Sequence, residues 1–135
     1  MKIDELFRQI SDSYGLEKGI EADEKGVYHI EMDDVVVAFR ASADGEKIVS
    51  WVEIGTLPKE GMDRLGLCRA LLEASFLGGS QDGAHFALEG DTVVLMRTDT
   101  LVAVKLGHPM EIAASLAESA KPWIANIEEV NNDAE

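Results

Sequence analysis

The chain has 135 residues, of which 26 are Asp or Glu and 12 are Lys or Arg, for a net charge of −14 at pH 7. A field of that sign repels phosphate before contact, which makes nucleic acid and anionic membranes poor partners; the acidity serves either solubility or the approach of a basic partner. With 46% apolar residues, three prolines and no repeats, the composition excludes a disordered or linker-rich chain and fits one domain able to bury roughly two thirds of its unfolded surface.

The start, MKIDELFRQI, has acidic residues where a signal peptide needs a basic region followed by an apolar run. Cys68 is the only cysteine and has no partner for an internal disulfide. No apolar run reaches the ~18 residues of a membrane span. A cytoplasmic location follows as the expectation.

In chain order, Ile3, Leu6, Phe7, Ile10 and Tyr14 recur at three- and four-residue steps and predict an amphipathic helix that Gly15 ends. Three strands follow at 27 to 32, 35 to 41 and 48 to 54, with Asp33-Asp34 and Ala43-Asp44-Gly45 as the turns of an antiparallel meander. Tyr28, Ile30, Met32, Val35, Val37, Phe39, Ile48, Val52 and Ile54 form a credible inward set. The opposite set, Val27, His29, Val36, Ala38, Val49 and Trp51, is relieved only by Glu31, Arg40 and Glu53. A face that apolar is either covered by a helix or is a surface awaiting a partner segment.

A second helix is expected from about Met62 to Ser75, closed by GGSQDG at 78 to 83. Its apolar residues fall on two sides of a 100° wheel. Leu65, Cys68, Leu72 and Phe76 make one face and Leu67, Ala70, Leu71 and Ala74 the other, with only the Gly66, Arg69 and Glu73 sector polar. The sheet covers one face. The economical cover for the other is a second copy of the helix across a two-fold axis, a homodimer; the alternative is the first or third helix folding over it within one subunit.

A second hairpin is predicted from 85 to 88 and 92 to 98 around Glu89-Gly90-Asp91. Pro109 then opens a third helix whose stripe runs through Met110, Ile112, Ala113, Leu116, Ala120, Trp123, Ile124 and Ile127, with a kink expected at Pro122. The expected fold is α+β in the order α-β-β-β-α-β-β-α: a mostly antiparallel, twisted five-stranded sheet with three helices. One domain is expected over residues 1 to 127, followed by an acidic, flexible tail at 128 to 135.

Candidate chemistry is sparse. His29, His85 and His108 lie far apart without metal-binding spacing, and no metal or cofactor is expected. Cys68 reads as a packed thiol, and GGSQDG lacks the lysine and following helix of a phosphate cradle. Carboxylates are too abundant for any pair to stand out as acid and base, so no catalytic residues are assigned.

The segment IGTLPKEGMDRLGLCRALLEASFLGGSQDGAHFALEGDTVVLMRTD, together with the element order and the acidity, resembles the class I type III secretion chaperones of the CesT/Tir family. The family's L-G-x-L-P pattern is matched by Ile54-Gly55-Thr56-Leu57-Pro58. Its L-L-x-A-N pattern is matched by Leu71-Leu72-Glu73-Ala74-Ser75, with serine in place of asparagine. The resemblance implies a non-enzymatic homodimer that binds an extended N-terminal segment of a secreted effector and keeps it soluble. It implies dimer contacts at Leu67, Ala70, Leu71 and Ala74. It also implies a client surface at Val27, Val36, Ala38, Val49 and Trp51, bordered by Phe7 and Tyr14. Two further readings stand beside it: a protein-interaction or regulatory module with no secretion client, and a small carboxylate enzyme.

Overall fold

A computed structural model describes residues 2–13, 20–59, 61–76, 84–101 and 108–133. Tyr14, the Gly15 stop and the GGSQDG turn lie outside the described residues. Helix α1 spans Ile3–Ser13, strands β1 to β3 span Tyr28–Met32, Val35–Ala41 and Lys47–Thr56, and α2 spans Gly61–Phe76. Strands β4 and β5 span His85–Glu89 and Thr92–Thr100, and α3 spans His108–Asp133. The five strands form one antiparallel sheet in the order β1-β2-β3-β5-β4.

Two-residue turns set the register of the β1–β2 and β4–β5 hairpins. Asp33 and Asp34 both take positive φ, +50° and +68°, the mirror-image turn whose twist matches that of the strands it joins. Gly90 takes the same role between β4 and β5 at φ +59°.

Every helix lies on one face of the sheet. From α1, Phe7 stacks on Tyr28 with ring centroids 4.3 Å apart and meets the edge of Phe39 at 5.4 Å. Helix α3 lies across β3 and touches β1, β2 and β5, burying Ile112, Ala113, Leu116, Ala120 and Ile127 against Val37, Phe39, Val52 and Leu95. Helix α2 covers the β4 end: Ser75 Oγ accepts the Phe86 amide at 3.0 Å. Phe86 sits opposite Leu95, and thus on the same face, and meets Trp123 of α3 edge-on at 4.9 Å. The inward set expected from alternation is the set that packs, with Met32 only half-buried.

Two expectations are corrected here. Phe7, expected at the border of a client surface, is fully buried under α1 because its ring fills the space between Tyr28 and Phe39. The expected tail is helical through Asp133, since α3 continues past Ile127, and Asn131 Nδ2 donates to the Thr56 carbonyl at 2.9 Å. Pro122 lies inside α3 without ending it; the residue is exposed, so water can satisfy the Glu118 carbonyl that the ring leaves unbonded.

Gly55 explains part of the Ile54–Pro58 pattern. It sits at a register shift in β3, at φ +147°, and a Cβ there would lie 2.6 Å from Ile127 Cγ2. The bulge therefore lets α3 close onto β3 where no side chain fits. Replacing Gly55 with Ala is expected to cost about 2–4 kcal/mol from backbone strain and overpacking. Urea unfolding of Gly55→Ala, Ile127→Ala and the double variant checks the cause: the double variant should cost clearly less than the sum. Additive costs would mean that the two groups do not meet.

Candidate functional site

With every helix on one face, no helix among the described residues covers the other face of the sheet. The register aligns one row across all five strands on that side: His29, Ala38, Trp51, Met96 and His85, from β1 to β4. Trp51 stands at its centre, half-buried, with the Arg40 guanidinium 5.7 Å from its ring centroid. Ala38 is the small residue that gives the indole room on the β2 side, which leaves Ala38 itself buried.

Two open hollows flank the indole. The wider, about 490 Å³, is lined by Val27, Val36, Ala38, Trp51 and, from the far side, Ile124 of α3. Its position follows from the strand pairing. The β2–β3 ladder runs from Ala41↔Ile48 to Ala38↔Trp51, and beyond its end Val35 and Val36 of β2 and Val52 and Glu53 of β3 line the hollow. The second, about 410 Å³, is lined by Val27, Val49, Trp51, Arg40 and Met96. Val36, Ala38, Val49 and Trp51 of the sheet, with Val27 just before β1, the five residues singled out from the sequence, thus line two hollows that share Val27 and Trp51. Phe7 lines neither, and Tyr14 lies outside the described residues.

Charge is unevenly distributed around these hollows. Among the described residues, Asp23, Asp34, Glu53 and His29 border the wider hollow and no Lys or Arg does; Lys25, Arg40, Glu53 and Glu89 border the other. The Asp23 carboxylate accepts the Val27 amide at 3.0 Å and the Lys25 amide at 2.8 Å, bonds that hold its pKa below the ordinary Asp value. Asp34 and Glu53 have no ion pair among the described residues.

Helix α2 presents the second apolar surface, and here the structure reverses the expectation. Leu67 and Leu71 are only 5% and 4% exposed within a single chain and face the sheet, whereas Leu72 and Phe76 are 72% and 88% exposed. Ala70 and Ala74 are half-buried beside the inner pair. The small alanines let the inner side approach the sheet closely, and the bulkier Met62, Leu65, Leu72 and Phe76 are left outside. The start of α2 is pinned in this orientation by Arg64, which donates to the Pro58 carbonyl at 2.8 Å and to Asp91 Oδ1 at 2.7 Å. Sequence reasoning missed Arg64; its one signal was a base in the first turn, on the wheel side opposite the Gly66, Arg69 and Glu73 sector.

The outer stripe is nearly symmetric in sequence. Leu65 and Leu72 flank the Cys68-Arg69 pair at equal spacing, and Met62 and Phe76 lie one turn further out on either side. An apolar groove of about 290 Å³ lined by Cys68, Leu72, Phe86 and Leu88 runs along its flank beside edge strand β4. Among the described residues no cluster of His, Cys, Asp and Glu suits a metal ion, and no helix is long and apolar enough to cross a membrane.

Similar arrangements occur in solved structures. A chain of the HopA1–SchA chaperone–effector complex aligns at TM-score 0.67 with 13% identity, over 90% of this chain and 92% of its own. The Yersinia pestis type III secretion chaperone SycH, in complex with a fragment of YscM2, aligns at 0.63 with 19% identity, over 88% and 97%. YbjN from E. coli aligns at 0.63 with 15% identity, over 96% and 93%. Identities this low establish a shared fold. Comparison with curated protein sequences finds no match. The family described as Tir chaperone protein (CesT) matches residues 5–105. By that match, and by three helices on a five-stranded antiparallel sheet ordered as in the secretion chaperones, the chain belongs to the CesT family of type III secretion chaperones.

Proposed function

We propose that the protein is a cytoplasmic chaperone that holds an extended N-terminal segment of a secreted effector against the bare sheet face, without catalysis. The observation that carries this reading is the uncovered row through Trp51, with a hollow on each side of the indole. An extended chain offers alternate side chains to such a surface and keeps its backbone available to a sheet edge. The SycH and HopA1–SchA structures, both of chaperones in complex, support the assignment by fold. The second reading, an interaction or regulatory module with no secretion client, draws on the same fold in YbjN.

We further propose a homodimer joined through α2, with contacts reassigned to the outer stripe. In a two-fold pair of antiparallel helices, Leu65 of one copy meets Leu72 of the other, Met62 meets Phe76, and Arg69 lies beside the axis. Leu67 and Leu71 then act from beneath by fixing the helix to the sheet.

Light scattering should give twice the chain mass, and Leu72→Asp should give a folded monomer, since Leu72 is 72% exposed within its own subunit and lies outside the core cluster. In a Cys68→Ser background, Arg69→Cys should oxidise to a cross-linked dimer. A folded monomer in the parent protein would overturn the dimer.

For the client, purification from the native host followed by limited proteolysis should show one continuous, otherwise sensitive stretch of a larger protein under protection. Trp51→Asp should abolish that protection without changing the dimer mass, because a central aromatic anchor is worth about 2 kcal/mol or more. Protection that survives Trp51→Asp would move the client elsewhere. A parent protein that protects no such stretch would favour the module reading.

A further inference from the structure

The wider hollow has a rim chemically distinct from that of its neighbour, and this restricts what occupies it. Its floor is aliphatic and aromatic, from Val36, Ala38, Trp51 and Ile124. Its rim carries Asp23, Asp34 and Glu53, with His29 the remaining titratable side chain among the described residues. Asp34 and Glu53 are exposed and have no cationic partner among the described residues. Across Trp51, by contrast, Arg40 and Lys25 stand among the lining of the second hollow with Glu53 and Glu89. Among the described residues the rim therefore changes from carboxylates with one histidine to a mixture of carboxylates, Lys25 and Arg40 across one indole.

We propose that the wider hollow takes an apolar anchor side chain from an extended segment whose neighbouring residues are Lys or Arg. The inference rests on the client reading of the bare face and adds the chemistry of the segment. In an extended chain, residues two apart on the same side are separated by roughly 6–7 Å, so bases next to an anchor in the hollow fall over its rim. A basic side chain also lays its aliphatic stem along apolar surface while its charged head reaches a carboxylate. A segment with acidic residues at those positions meets two unpaired carboxylates and is rejected.

The test uses dye-labelled synthetic twelve-residue peptides and fluorescence anisotropy at low salt. One peptide has a Leu-Val-Phe centre with two Lys on each side, one has the same centre flanked by Glu, and one keeps the Lys but has a Ser-Gly-Ser centre. The Lys peptide with the apolar centre should bind at least about tenfold more tightly than either other peptide. The double variant Asp34→Asn/Glu53→Gln should reduce the Lys preference roughly three- to tenfold, with the turn preserved because Asn tolerates the positive φ of Asp34. The control Glu111→Gln/Glu128→Gln, with the same charge change on the exposed side of α3, should leave the preference within about twofold. An equal loss in rim variant and control, a preference that survives the rim variant, or no binding by the apolar-centred Lys peptide would overturn the proposal. Since no effector enters this test, a rim-dependent preference alongside failed client protection would sink the chaperone reading alone. Client protection without a rim-dependent preference would sink this inference alone.

Discussion

One-sided coverage of the sheet is the constraint from which the rest follows. A five-stranded antiparallel sheet has two faces, and this chain places α1, α2 and α3 on the same one. The covered side is a continuous core in which Phe7, Phe39, Ile48, Leu95, Leu116 and Ile127 are almost wholly buried. Nothing among the described residues covers the other side, and its central row still carries Ala38, Trp51 and Met96. Antiparallel sheets commonly expose one face to water, but that face is then usually polar. Here Glu31, Arg40 and Glu53 make it only partly so, and the proposed client site accounts for the apolar area left between them.

The same arrangement accounts for α2. Helices α1 and α3 occupy the middle and the β1 side of the sheet, so α2 is left with the β4 end and, among the described residues, no element over its outer side. Its inner stripe needs only Leu67 and Leu71, with alanines between, to seat against Phe86 and Val93. Arg64 at one end and Ser75 at the other tie the helix to the β4–β5 hairpin. Serine at the position where the family pattern has asparagine still supplies the acceptor needed there, since one side-chain oxygen suffices for the Phe86 amide.

Element order, both hairpins and the inward face of the meander were legible in the sequence because strand alternation has a period of two and the turn residues carry their own conformational preference. Which side of α2 faces inward was not legible. Both stripes are apolar and a wheel records angle only, so the choice depends on how closely each can approach the sheet, which favours the stripe flanked by Ala70 and Ala74 over the bulkier one. Phe7 misled for a related reason: an aromatic on a short amphipathic helix can edge a groove or fill a core, and the decision rests with Tyr28 and Phe39, distant in sequence. The helical continuation through 128 to 133 depends on the Asn131 bond to Thr56 and on the fit of Ile127 over Gly55, contacts that local polarity does not reveal.

On the proposed client reading, holding a chain extended without an energy source sets its own requirement. Fixing each backbone residue costs about 1–2 kcal/mol, whereas full burial of one large apolar side chain returns about 1.5–3 kcal/mol. A segment with a single anchor is thus held weakly, because its two or three ordered neighbours consume the gain. Two hollows sharing Trp51 permit two anchors on one stretch of chain, and the indole between them contributes to both contacts. Backbone pairing with an edge strand would then lower the net cost of the residues between anchors, and β1 is such an edge, bordering β2, whose Val36 and Ala38 line the wider hollow. Affinity on such a surface comes from spacing of anchors more than from the size of any one of them, and a folded globule, whose apolar side chains already face inward, has none to offer.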